Sequence, residues 1–215
     1  MSGETGAGGG AFDCFASLNT SRYSPPMRVT GGTLGGRLLK TPKGDAVRPT
    51  QDKVRQALFS SFAASIPGCR FLDLFAGSGA VGLEAWSRGA AHVCWVESDA
   101  RVFGVLRGNV ETLCGTSGEG CKTVKSDVFR FLTGGRETGL YDIVFADPPY
   151  DHRGTLQWAA RLLEAVSEPS LLAEKGYFVM EQAVDEAEAV HFAWEVLSVK
   201  AYGGTRLTVY GRRGR

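Results

Sequence analysis

The stretch that most restricts what this chain can fold into is "CRFLDLFAGSGAVGLEAWSRGA", Cys69 to Ala90. An apolar run, interrupted once by Asp73, ends in Gly77-Ser78-Gly79 and gives way to apolar residues at helical spacing. Strand, glycine turn and helix open a crossover, and a crossover is how a chain returns to lay a second strand parallel to the first. The alternation recurs in "AHVCWVESDARVFGVLRGNVETL", in "CKTVKSDVFRFL", and in "YDIVFADPPYD" followed by "RGTLQWAARLLEAVSE" and "GYFVMEQA". It predicts an α/β fold, a mostly parallel Rossmann-like sheet with helices on both faces. "FAWEVLSVKAYG" and "TRLTVYGRR" predict a C-terminal hairpin that adds an antiparallel edge and completes seven strands.

Three segments are expected. Residues 1–26, rich in Gly, Ser and Thr, predict a disordered tail. Residues 27–49 open with "MRVTGGTLGGRLLKTP", which predicts a small β-hairpin arm turning on its glycines. Residues 50–215 hold the sheet. They are entered through a helix with Thr50 as the expected N-cap and Val54, Leu58, Phe59 and Phe62 as its apolar stripe.

Composition removes several classes. No long uncharged apolar run is present, and "MSGETGAGGGAF" lacks the basic and apolar regions of a secretory signal, so neither membrane insertion nor secretion is expected. The cysteines (Cys14, Cys69, Cys94, Cys114, Cys121) are odd in number and never spaced C-x-x-C, and the histidines lie far apart. That predicts reduced thiols, a cytoplasmic location and no metal site. The 24 basic and 23 acidic residues nearly cancel, but not evenly along the chain. Between Arg22 and Arg55 eight basic residues stand against two acids, and the five charged residues after Glu195 are all basic. Such ends suit a polyanion-binding face and equally suit solvated sheet edges.

Gly77, Gly79 and Gly82 fit G-x-G-x-x-G, and Glu97 follows about twenty residues on, which is the dinucleotide pattern. Asp73 weighs against a bound pyrophosphate, because an acid beside the loop repels phosphate and suits a cation. S-adenosylmethionine carries a sulfonium, an ammonium and no phosphate, so it is the expected cofactor and S-adenosylhomocysteine the expected product. Glu97 can accept both ribose hydroxyls. Asp127 in "KSDVF" can bind the adenine amine, and the Val128 N–H its ring.

In "YDIVFADPPYD", Asp147 falls where a fourth strand stops, and Pro148 and Pro149 end that strand and stiffen it. Asp147 and the Pro148 carbonyl can accept hydrogen bonds from an amine, while Tyr150 offers a face for a flat base. Together they point to methylation of an exocyclic nucleobase amine.

"FLDLFAGSGAVGLEA", "ESD", "SDVFRFL" and "FADPPY" resemble the motifs of class I S-adenosylmethionine-dependent methyltransferases acting on amino nitrogens. The arm, "RPTQDKVRQALFS" and "YGGTRLTVYGRR" narrow the resemblance to the bacterial RsmD-type enzymes, which methylate the N2 amine of one guanine in 16S ribosomal RNA. The resemblance runs from Met27 to Arg213. It implies a class I methyltransferase fold and catalysis by Asp147, Pro148, Pro149 and Tyr150. It implies a cofactor site of Thr50, Asp73, Phe75, Ala76, Gly77, Ser78, Gly79, Glu97, Ser98, Asp127, Val128 and Asp147. It further implies an RNA path along Arg28, Arg37, Lys40 and Arg48, with ribosomal RNA in the small ribosomal subunit as partner. Adenine-N6 and cytosine-N4 methyltransferases share the "DPPY" tetrad. Amino-methylation of adenine in DNA or another RNA therefore stands as an alternative, as does a non-catalytic RNA-binding module.

Overall fold

Parallel strands covered on both faces must be apolar almost throughout. In the computed structural model, Arg70–Leu74 and His92–Glu97 meet that demand: each is buried from its second residue to its last. The structure describes residues 26–42, 49–115, 119–134, 140–150, 157–167 and 171–214. The expected tail up to Pro25 and the expected RNA contact Arg48 lie outside the described residues, as do the side chains of Pro49, Thr50 and Gln51.

The elements run α1 (Pro49–Ser61), β1 (Arg70–Leu74), α2 (Ala80–Ser87), β2 (His92–Glu97), α3 (Ala100–Cys114) and β3 (Cys121–Lys125). They continue with α4 (Val128–Thr133), β4 (Tyr141–Ala146), α5 (Trp158–Val166), β5 (Leu172–Ala183), β6 (Trp194–Tyr202) and β7 (Thr205–Arg212). The sheet order is β3-β2-β1-β4-β5-β7-β6. The first five strands are mutually parallel, and β7 lies antiparallel between β5 and β6. The expected seven-stranded, mostly parallel sheet with an antiparallel C-terminal edge is what the chain forms.

Alternation splits the strand side chains between two cores. Phe71, Trp95, Phe145 and Val179 pack with Leu58, Phe59, Leu83 and Leu106 of α1, α2 and α3. Leu72, Val96, Val144 and Met180 pack on the other face with Leu162, Leu163 and Val166 of α5. No helix among the described residues is long and apolar enough to cross a membrane.

Two local expectations need correction. The first helix opens at Pro49, so Thr50 lies inside its first turn and does not cap it. Proline suits that first position, where its missing N–H has no partner to lose. Second, β5 begins at Leu172, four residues before the expected Gly176, because Leu172 already pairs with Tyr141 before a register shift resets the ladder at Ile143–Tyr177.

The described part of the arm carries little regular ladder: Arg28 and Leu38 form one isolated antiparallel bridge. Its attachment to the domain is polar and buried. Glu84, fully buried on α2, accepts from the Thr30 N–H at 2.6 Å and the Thr30 hydroxyl at 2.8 Å. The same carboxylate pairs with Arg88 at 2.7 Å and Arg55 at 3.6 Å, and Arg55 donates to the Arg28 carbonyl at 2.6 Å. Ser87 holds the turn by accepting from the Leu34 N–H and donating to the Gly31 carbonyl.

Candidate active site

Strand order reverses between β1 and β4, and in open α/β sheets ligands bind outside the carboxyl ends of the strands at such a switch point. Leu74 pairs with Ala146, so the glycine loop leaves β1 beside the point where Asp147-Pro148-Pro149-Tyr150 leaves β4. The two motifs, 74 positions apart from Asp73 to Asp147, start from adjacent strand ends.

The glycine loop is held open by its backbone. Phe75, Gly77 and Gly79 all take positive φ (60°, 55° and 86°), which is unusual for the non-glycine Phe75 and marks local strain. A Cβ on Gly77 would meet nothing within 4 Å, so its bareness is not needed for packing and leaves the loop surface open. Gly82 is the reverse case. A Cβ there would collide with the Trp95 ring, whose Nε1–H donates to the Gly79 carbonyl at 3.2 Å.

The acids divide into braces and open acceptors. Asp73 is buried and accepts from the Gly82 N–H at 2.8 Å, satisfying an N-terminal donor of α2 that no capping side chain reaches. Glu97 accepts from the Gly77 N–H at 3.0 Å and the Asp99 N–H at 2.8 Å, which fixes its orientation toward the loop. Ser98, just beyond it, is exposed. Asp127 caps α4 through Oδ1, accepting from the Arg130 N–H at 3.0 Å, beside buried Val128. Ala76 and Ser78 are buried within the loop. Asp147 is half-buried and Pro148 buried, while Pro149 and Tyr150 are exposed at the rim. The Asp147 carboxylate has no hydrogen-bond donor among the described residues. Tyr150 is steadied by its hydroxyl, 3.1 Å from the Thr205 hydroxyl on β7.

Sequence reasoning missed three charged residues. Glu181 on β5 stands next to Asp147, and Arg55 and Glu84 tie the arm to α1 and α2. Asn109 on α3 was missed too. It donates to the Ser78 carbonyl and the Lys40 carbonyl, each at 2.9 Å, and accepts from the Lys40 N–H at 3.0 Å. The Ser78 hydroxyl also donates to the Met27 sulfur at 3.1 Å. Both roots of the arm are thereby anchored at the glycine loop. Of the expected RNA contacts, Arg28, Arg37 and Lys40 are exposed along this arm.

Burial pushes the Asp147 carboxyl up to about 7. It pushes Asp73 up to about 8, with the Gly82 N–H pulling back and the charges of Asp147 and Glu97 adding to the rise. It pushes Glu181 up to about 8, with Asp147 adding and Arg55 opposing. These acids keep protons in the folded protein that the unfolded chain releases near pH 4. Their contribution therefore lowers stability as pH rises from about 4 to about 8. Replacing Asp147 with Asn should flatten the fall in melting temperature of the ligand-free protein across that window. An unchanged slope would show that Asp147 does not hold its proton.

A family model described as "Conserved hypothetical protein 95" matches residues 27–211, from the first arm residue into the last strand. The chain belongs to this RsmD-type methyltransferase family. The Ribosomal RNA small subunit methyltransferase D of Escherichia coli K12 is 35% identical over 193 residues, covering 89% of this chain and 93% of the relative. The corresponding protein of Haemophilus influenzae is 30% identical, covering 90% and 97%. Among solved structures, the "Putative methyltransferase yhhF from Escherichia coli" superposes with a TM-score of 0.74 at 34% identity. It covers 89% of this chain and all of its own. The match to the family begins at Met27 and so includes the arm, which in this RsmD-type chain is the element bolted to the glycine loop.

Proposed function

We propose that this RsmD-type enzyme transfers the methyl group of S-adenosylmethionine to the exocyclic N2 amine of a guanine in small-subunit ribosomal RNA, in the cytoplasm. One observation carries the reading. The strained glycine loop and the Asp147-Pro148-Pro149-Tyr150 turn leave adjacent strand ends at the sheet's switch point. The names borne by the relatives support the RNA substrate.

The cofactor supplies an electrophilic methyl on a sulfonium. The chain supplies placement and acceptors. Asp73, through Gly82, and Glu97, through Gly77, set the shape of the loop that receives the cofactor, and Glu97 and Asp127 offer acceptors to its ribose and adenine. The half-buried Asp147 carboxylate and the Pro148 carbonyl accept from the target amine. That pulls the nitrogen toward a tetrahedral shape and localises the lone pair that attacks the methyl carbon. When bound, S-adenosylmethionine would supply that methyl carbon and keep its sulfur as a thioether, and Asp147 or solvent would take the proton released by the alkylated nitrogen. Holding the amine ~3–3.5 Å from the methyl carbon supplies much of the acceleration. Because the target base must leave its stack to reach Asp147, Tyr150 receives its face, and Arg28, Arg37, Lys40 and Arg48 guide the flanking phosphates.

The ionised form of Asp147 is the one that accepts. kcat/KM should therefore rise with pH through about 7 and level above it. A flat profile from pH 5.5 to ~8.5, a range bracketing that titration, would remove the carboxylate from the rate-determining step. Replacing Tyr150 with Ala should cost ~1–3 kcal/mol of transition-state binding through lost stacking. Replacing it with Phe keeps the ring, removes the hydroxyl's 3.1 Å contact to Thr205, and should be mild. Equal losses in the two variants would refute the stacking role.

The direct test incubates the enzyme and labelled S-adenosylmethionine with small ribosomal subunits, free small-subunit RNA and duplex DNA, then identifies the labelled nucleoside. The expected product is N2-methylguanosine in the small-subunit RNA. Label only in N6-methyladenine of the DNA would assign the site to another base.

A further inference from the structure

The crevice holds a second open carboxylate that the chemistry above does not use. β4 and β5 pair Ala146 with Met180, so one position further along each strand Asp147 and Glu181 are neighbours. Phe145 and Val179 belong to the core under α1, α2 and α3, and alternation turns Asp147 and Glu181 toward the same side. Leu207, the β7 partner of Glu181, also belongs to that core. Glu181 is half-buried, and like Asp147 it has no hydrogen-bond donor among the described residues. Arg55 is the cation whose charge Glu181 feels, but its NH2 group is already engaged by the Arg28 carbonyl and by Asp52.

Two half-buried carboxylates with no donors are costly to keep unless a ligand brings the donors. Side by side, they match an edge that presents two donors side by side. Guanine has such an edge, its ring N1–H beside its exocyclic N2 amine. Adenine and cytosine do not, because the ring nitrogen beside their amine carries a lone pair. Set against a carboxylate, that lone pair is repelled.

We propose that Glu181 accepts the guanine N1–H while Asp147 holds the N2 amine, and that Glu181 thereby restricts transfer to guanine. This rests on the guanine-N2 reading above and adds to it a residue for base choice. Glu181 is a specificity residue that touches the base. It forms no bond to the methyl group.

The test uses 2-aminopurine, which keeps the 2-amine but has a bare N1. It is introduced by splinted ligation at the mapped target of small-subunit RNA and compared with guanine there, with the RNA free or assembled as the wild type requires. Assayed at pH ~8.5, above the Glu181 titration at about 8 so that its carboxylate accepts and cannot donate, the wild type should prefer guanine by about 10- to 100-fold in kcat/KM, the range for a hydrogen bond to a charged group. Glu181→Ala should bring that ratio close to unity by losing guanine activity, with S-adenosylmethionine affinity unchanged. Glu181→Gln, whose amide can turn its NH2 toward a bare N1, should narrow or reverse the ratio. A merely structural role would lower both substrates alike, and an unchanged ratio in folded Glu181→Gln would overturn the role of Glu181 alone. Absence of guanine methylation by the wild type would overturn the guanine reading, and the assignment of Glu181 with it.

Discussion

Replacing Asp147 with Ala is expected to reduce methyl transfer by about 10²–10³-fold, the loss seen when one preorganised group facing developing charge is removed. S-adenosylmethionine binding should stay within a few-fold of wild type. The asymmetry follows from position. The loop proposed to take the cofactor is shaped by Asp73 and Glu97 through the Gly82 and Gly77 N–H groups, and Asp147 makes none of those contacts. Asp147 stands instead across the switch point, just past the end of the next strand, with its acceptors open. Single-turnover transfer of a labelled methyl reads the first quantity, and calorimetric titration of the cofactor reads the second. Wild-type turnover in Asp147→Ala would end the proposed mechanism. A large loss of cofactor affinity with little change in turnover would make Asp147 a cofactor ligand only.

The second large effect is on stability. Replacing Glu84 with Ala is expected to destabilise the protein by ~3–5 kcal/mol, because it leaves two arginines without their shared buried anion. Glu84 is wholly inaccessible and is met by Thr30, Arg88 and Arg55 at once. Urea unfolding measures the loss. Hydrogen exchange should show faster opening at Thr30, whose N–H loses its acceptor, and at Leu34, whose N–H is held by Ser87 on the same helix. Arm and glycine loop share Asn109 and the Met27–Ser78 contact, so this variant should also bind S-adenosylmethionine more weakly, in contrast to Asp147→Ala. A change under ~1 kcal/mol would mean that the clamp is no more than a surface ion pair.

The sheet could be read from the chain because its strands are buried on both faces, which forces apolar runs, and because each run ends at glycine, proline or an acid. The acids at the ends of β1, β2 and β4 and after β3 were legible for the same reason: charge at the end of an apolar run is conspicuous. Glu181 sits inside "YFVMEQA", where a single acid in a strand carries no message until the register sets it beside Asp147. Glu84 looked like an ordinary helical acid in "AVGLEAWS", because its partners Thr30 and Arg55 come from segments 54 and 29 positions earlier. Thr50 had the right residue type for a cap, but the preceding proline took the first helical position. Pattern revealed the elements and the acids at their ends. It could not reveal contacts that exist only once distant segments meet.

The central claim is that Asp147 and the cofactor's methyl face one another across the β1–β4 crevice. A crystal structure with sinefungin, in which an amine replaces the sulfonium methyl, tests it directly. That amine should lie ~2.7–3.2 Å from the Asp147 carboxylate or the Pro148 carbonyl, within ordinary hydrogen-bond reach. Sinefungin bound away from the glycine loop, or bound there with its amine pointing away from Asp147, would contradict the account.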